Sequence, residues 1–193
     1  MLDAVINSVN YFNAIGVFFI LYFSILFILW LVKVVFVSKT GVQNAKQNIY
    51  QAYWLSGNKK RFVKEVISWG INNITIQSEQ KREGAVNYEV SYYRHKTIKG
   101  VFFPIQNKIR IYVNNHINVI DLIDSSLHEV VHALQYCADK KGYQTKYTKL
   151  LEEHNYASHP MEVEARLLAE RNLKPCIEYL YQKGFLVKRK VAK

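Results

Sequence analysis

Ser126-Leu127-His128-Glu129-Val130-Val131-His132-Ala133-Leu134-Gln135 places two imidazoles four residues apart with a carboxylate beside the first, an HExxH pattern. On a helix each residue advances about 100°, so His128, His132 and Gln135 fall within about 60° of one another. Leu127, Val130, Val131 and Leu134 turn to the other side. One face can therefore hold a metal while the other packs into a core. The pattern suits zinc, which takes imidazole nitrogens at about 2.0–2.1 Å, leaves a position open for water, and needs a nearby Glu as proton acceptor. The competing reading is a half-buried helix carrying two surface histidines. Asp121 or Asp124 as a helix cap, and an apolar stripe at helical spacing, favour the metal-binding helix.

Upstream, the period changes. Ile74-Thr75-Ile76 is β-rich, Val86, Tyr88, Val90 and Tyr92 alternate with polar residues, and Lys108 to Val113 alternates again. Turns are expected near Glu83-Gly84, Lys99-Gly100 and Gln106-Asn107, and the short spacing predicts an antiparallel sheet. A short helix from Lys59 to Trp69, ended by Gly70, precedes these strands. Downstream, a less strongly patterned helical stretch runs to Glu153. Pro160 then sits in the first turn of a helix capped by Ser158 or His159, running to about Leu173, where Pro175 interrupts before a last short helix.

Two histidines hold zinc poorly, and a catalytic site typically has three protein ligands. A metzincin-like HExxHxxGxxH is excluded, because Gln135 and Ala138 stand where Gly and His are required. The remaining candidates are His154, His159, Glu162 and Glu164. Glu162 shares a helical row with Ala165 and Ala169, small residues that let its helix lie close against the motif helix, whereas Glu164 points about 160° away. Geometry favours Glu162, with Glu164 and the two histidines left open.

From Ile71 to Asn172 the chain resembles the gluzincin branch of the zincin metallopeptidases. The resemblance rests on the strands before the motif, on SLHEVVHALQ, and on YASHPMEVEARLLAE, whose P-x-E-x-E-A pattern is similar to the ligand helix of small gluzincins related to ImmA/IrrE peptidases. It implies Zn2+ held by His128, His132 and Glu162, with Glu129 as general base and acid and Tyr156 as a hydroxyl stabilising the oxyanion. It also implies a substrate held in extended form along an edge strand, with Lys108 to Val113 a candidate for that neighbourhood. Arg166 departs from the pattern, since ImmA-like chains often carry Asn after the Glu-Ala pair. A rival resemblance is the SprT-like group, in which a downstream His, here His154 or His159, completes the site. A different class altogether is a tethered binding or regulatory module that keeps a zincin fold without turnover.

Ala14 to Val32 holds nineteen uncharged residues, followed by Lys33 and four more apolar positions to Val37. This length predicts a membrane-spanning helix. No Lys or Arg precedes it, and Lys33, Lys39, Lys46, Lys59, Lys60 and Arg61 follow, so the expected topology is single-pass with the catalytic domain on the cytoplasmic side. The expected fold class is α+β: a small zincin-like domain, its antiparallel-rich sheet packed on the HExxH helix and a following ligand helix, with an N-terminal transmembrane helix. The segments are 1–13, a span at 14–37, a juxtamembrane helical segment at 38–70 with a helix from about Val42 to Leu55, the domain at 71–187 and a basic tail at 188–193.

The hydrophobic fraction of 50%, with 14% aromatics, excludes a disordered chain, and two cysteines exclude a disulfide framework. A formal net charge of +11 favours anionic partners. Its concentration after the span predicts contact with anionic headgroups and no specific nucleic acid. The expected partners are a membrane-proximal protein or peptide substrate and membrane lipid.

Overall fold

Ile109 and Ile111 alternate with Lys108 and Arg110, and this period of two places the isoleucines in the core of a β-strand while the basic residues face outward. In the computed structural model, which describes residues 53–76 and 86–188 together with Ser24 and Phe27, both isoleucines are fully buried. Lys108 and Arg110 meet Glu89 at 3.1 and 2.9 Å on the opposite face. The chain divides into two units, Met1–Asn48 and Ile49–Lys193. In the first, only Ser24 and Phe27 are described, both helical and exposed.

The second unit is α+β. Along the chain lie β1 (Tyr53–Leu55), α1 (Lys59–Asn73), β2 (Asn87–Ser91), β3 (Gly100–Phe103), β4 (Lys108–Tyr112), a 3-10 turn (Val113–Asn115), α2 (Val119–Ala138), α3 (Tyr143–Glu153), α4 (Pro160–Gln182) and β5 (Leu186–Lys188). The motif helix α2 is the hub, packing against α1, α4, β1, β3 and β4. Its N-terminus is closed by Asn118 Oδ1, which accepts from Asp121 N at 2.9 Å, so the cap lies earlier than either aspartate. Asn58 does the same for α1, accepting from Lys60 N and Arg61 N.

The sheet is mixed, where an antiparallel one was expected. Its order is β2-β4-β3, with β2 parallel and β3 antiparallel to β4. The reason is the segment 92–99, which crosses the end of β4 instead of folding back beside β2. Side-chain amides of the 3-10 turn hold that crossing: Asn114 Nδ2 donates to Tyr92 O, and Asn115 Nδ2 donates to the carbonyls of His95 and Ile98. Lys108 to Tyr112 therefore forms the central strand, with β2 and β3 at the two edges. A tight turn joins β3 to β4, with Asn107 at φ +43° and its N–H donating to Pro104 O.

Several expected boundaries move for packing reasons. α1 continues past Gly70 to Asn73, because Gly70 serves as a contact glycine: a Cβ there would lie 3.1 Å from Val130 Cγ1 and 3.2 Å from Leu127 Cδ2. Ile74 is fully buried at the end of that helix instead of opening a strand. α4 runs unbroken through Pro175, since burial of Cys176, Ile177 and Leu180 holds its second half to the core against the roughly 3 kcal/mol an internal proline costs. Tyr53–Leu55, expected at the end of a helix, is a strand paired antiparallel with Leu186–Lys188. The remainder of that expected helix lies outside the described residues.

The single-pass membrane protein with a cytoplasmic catalytic domain is not supported, because among the described residues no helix is long and apolar enough to cross a membrane. Each described helix is one-sided, with polar or charged residues interrupting any apolar run: α2 carries Asp121, Asp124, His128, Glu129 and His132, and α4 carries Glu162, Glu164, Arg166, Glu170, Arg171 and Lys174. The stretch 14–37 itself lies outside the described residues, apart from Ser24 and Phe27.

Leu127 is fully buried under α1 on the face of α2 opposite the imidazoles. Leu127→Ala is expected to cost about 2–5 kcal/mol, read as a lowered midpoint in urea denaturation; a variant within about 0.5 kcal/mol of wild type would contradict this packing.

Candidate metal centre

α2 and α4 lie close enough for side chains from both to meet. The row of small residues on α4 makes this possible: Ala165 and Ala169 are buried, on the same helical row as Glu162. His128 Nε2 and His132 Nε2 are 3.1 Å apart, and Glu162 reaches both, Oε2 to His128 Nε2 and Oε1 to His132 Nε2, each at 3.2 Å. Among the described residues, these three form the one group of His, Cys, Asp and Glu side chains placed to hold a metal ion.

The donor set fits zinc. Bonds of about 2.0–2.1 Å in tetrahedral geometry require donor atoms about 3.3 Å apart, close to the spacings found. Glu162 Oε2 is buried and accepts no hydrogen bond, although its carboxylate is only 2% exposed. A buried carboxylate oxygen facing an imidazole nitrogen without a donor is a position a cation satisfies.

The electrostatics agree with the geometry. Burial alone would raise the pKa of Glu162, but the adjoining imidazoles of His128 and His132 override it and hold the carboxyl well below the usual carboxylate range. Burial opposes a charge on His132, yet Glu162, Glu129 and Gln135 together leave its pKa raised. Glu129, 8% exposed, sits beside the donors without joining them. Burial pushes its pKa up, against the pull of the two histidines.

The three donors and Glu129 line a cleft of about 290 Å³ whose other walls are β3 and α3: Gly100, Val101, Phe102 and Pro104 on one side, Tyr143, Gln144 and Tyr147 on the other. Phe102, Tyr136 and Tyr143 form a mutual aromatic cluster with ring centroids 5.6–6.2 Å apart, joining the sheet edge to the helices. Gly100 permits the closest approach, because a Cβ there would lie 2.7 Å from Glu129 Cγ. Tyr112 N donates to Lys99 O. By the alternation of an antiparallel ladder, the backbone groups of Gly100 and Phe102 then turn away from β4, toward the cleft side.

Tyr156 lines the same cleft at its mouth, 59% exposed. Partial burial, then the Glu162 carboxylate, pushes its phenol up to about 12. Glu164 is placed elsewhere, accepting from Gln135 Nε2 at 2.9 Å. His154 is exposed and outside the donor group. His159, left open above as a ligand and as a helix cap, is the cap and is fully buried: its Nδ1 accepts from Met161 N, and its Nε2 meets Tyr147 O at 3.1 Å.

Sequence reasoning missed Tyr147, whose hydroxyl donates to Glu162 Oε1 at 2.7 Å. Its signal was present, since Tyr143 and Tyr147 are one helical turn apart between the two donor-bearing helices. Gly100 and Phe102 were missed because a glycine beside a lysine reads as a turn, and only the fold brings that glycine to Glu129.

Glu162→Gln is expected to lower zinc affinity by more than the about 10- to 100-fold typical of an outer-shell change, and Glu164→Gln by no more than that. Competition titration with a chelating dye on the two purified variants checks this, and the reverse order would show that Glu164 is the ligand.

No family model, no curated protein and no solved structure matches this chain, so the reading of the centre rests on its own residues and their geometry.

Proposed function

We propose that the chain is a zinc-dependent peptidase of the gluzincin type, a zincin-like domain that hydrolyses peptide bonds in protein or peptide substrates. The observation that carries this reading is the convergence of His128, His132 and Glu162 within 3.2 Å beside a buried Glu129 that stays outside the donor group. A purely structural zinc site closes with a fourth ligand and has no use for such a carboxylate.

Zinc, when bound, supplies Lewis acidity: it brings water into the range where it ionises near neutral pH and polarises a carbonyl. The chain's own residues do the rest. Glu129 takes a proton from the attacking water on its carboxylate and returns it to the leaving amine nitrogen as the C–N bond breaks. The Tyr156 hydroxyl, with its pKa at about 12, stays protonated at neutral pH and can donate to the developing oxyanion from the cleft mouth. The backbone groups of Gly100 and Phe102 are the rungs on which an extended peptide adds a strand to the edge of the sheet. The alternative completed by a histidine has no support in this donor set, because His159 is committed to the backbone of Tyr147 and Met161.

Incubating the full chain with a peptide library in the presence of zinc tests the proposal. Glu129→Gln is expected to lose about 10²- to 10⁴-fold in rate with zinc stoichiometry unchanged. Bound zinc with equal background cleavage in both proteins would sink the peptidase and leave a binding module.

Gly100→Val places its side chain where Glu129 Cγ now lies. It is expected to lower cleavage about 10²-fold through displacement of the base or strand, while zinc content stays that of wild type; full activity would exclude this close approach.

A further inference from the structure

His132 Nε2 serves as a ligand only with a free lone pair, so a neutral ring must carry its proton on Nδ1. The HExxH spacing does nothing to secure that tautomer. Gln135, one turn later and 7% exposed, faces the other side of the ring, with Oε1 2.9 Å from His132 Nδ1. Which end of its amide carries the oxygen is decided by its remaining neighbours. Gln135 Nε2 lies 3.1 Å from Met161 O and 2.9 Å from Glu164 Oε2. Both are acceptors, so this end must be the NH2 group. The oxygen is thereby turned toward His132 and can only accept.

We propose that Gln135 is a positioning residue with two linked tasks: it accepts from Nδ1 of His132 and so holds the ring with Nε2 turned to the metal position, and it clamps α2 to the first turn of α4, where Met161 and Glu164 flank Glu162. Glu164 then has a role of its own, as the acceptor that fixes the amide's orientation. The purpose of the device rests on the zinc reading above; its geometry does not. An apolar residue at 135 would remove the acceptor at His132 Nδ1 and the donor to Glu164, and with them the side-chain link from α2 to Met161 O.

The test uses the full chain in two states. In the zinc-loaded protein, 1H–15N spectra report whether the Nδ1 proton of His132 is hydrogen-bonded and protected from exchange, and dye competition reports zinc affinity; in the metal-free chain, the urea midpoint reports the clamp between the helices. Wild type is expected to show a protected Nδ1–H. Gln135→Met should lose that protection, bind zinc about 10- to 100-fold more weakly and unfold at lower urea. The exchange Gln135→Glu with Glu164→Gln keeps an acceptor toward His132 and a donor toward residue 135, so it should restore the protection and most of the affinity. Gln135→Met with the protection, affinity and urea midpoint of wild type would overturn the proposal. If Gln135→Met does not fold, the exchange variant decides: a protected Nδ1–H supports the proposal and an unprotected one refutes it. A wild type that binds no zinc defeats the metal reading alone, because the urea midpoints of the metal-free wild type and variant still decide the clamp.

Discussion

Glu162 is a carboxylate buried to 2% exposure between two helices, and its charge must be met there by donors or a cation. His128 and His132 approach it from α2, and Tyr147 donates to it from α3. That requirement fixes how close α2 and α4 must lie. Ala165 and Ala169 on α4 allow it, and Met161 O receives the amide of Gln135 at the same crossing. On the far side, Gly70 lets α1 press onto Leu127 and Val130 with a clearance that a methyl group would fill. α2 is thus held on one face by apolar packing and on the other by a polar network, each needing the other for its register.

The polar network extends beyond the donors. His159 meets Tyr147 O with one ring nitrogen and accepts from Met161 N with the other, so the start of α4 and the middle of α3 are tied through one buried ring. Its ring centroid lies 4.3 Å from that of Tyr147, which in turn donates to Glu162. A histidine that resembles a rival ligand by its position in the chain is a brace. Glu164 is likewise an anchor for Gln135 and not a competitor for the metal face.

Access to the centre comes from the sheet. Because segment 92–99 crosses the end of β4, the strand beside Glu129 is β3, with one edge paired to β4 and its glycine against the carboxylate. An all-antiparallel meander would have placed β3 in the middle, with no edge at the cleft. The proposed mode of peptide binding depends on this topology.

Local features were legible in the sequence because they arise from spacing. The period of His128, His132 and Gln135 follows from helical geometry, the burial of Ile109 and Ile111 from strand alternation, and the small row beneath Glu162 from the same helical arithmetic. The α+β class and the preference for Glu162 over Glu164 at the imidazoles needed no more than that. What only the tertiary structure decided are contacts between residues far apart in sequence. The side on which segment 92–99 crosses, the 2.7 Å approach at Gly100, the hydroxyl of Tyr147 on Glu162 and the continuation of α4 through Pro175 all depend on which surfaces compete for the same buried space. Periodicity records which face of an element is apolar, but it carries no term for the neighbour that face will meet.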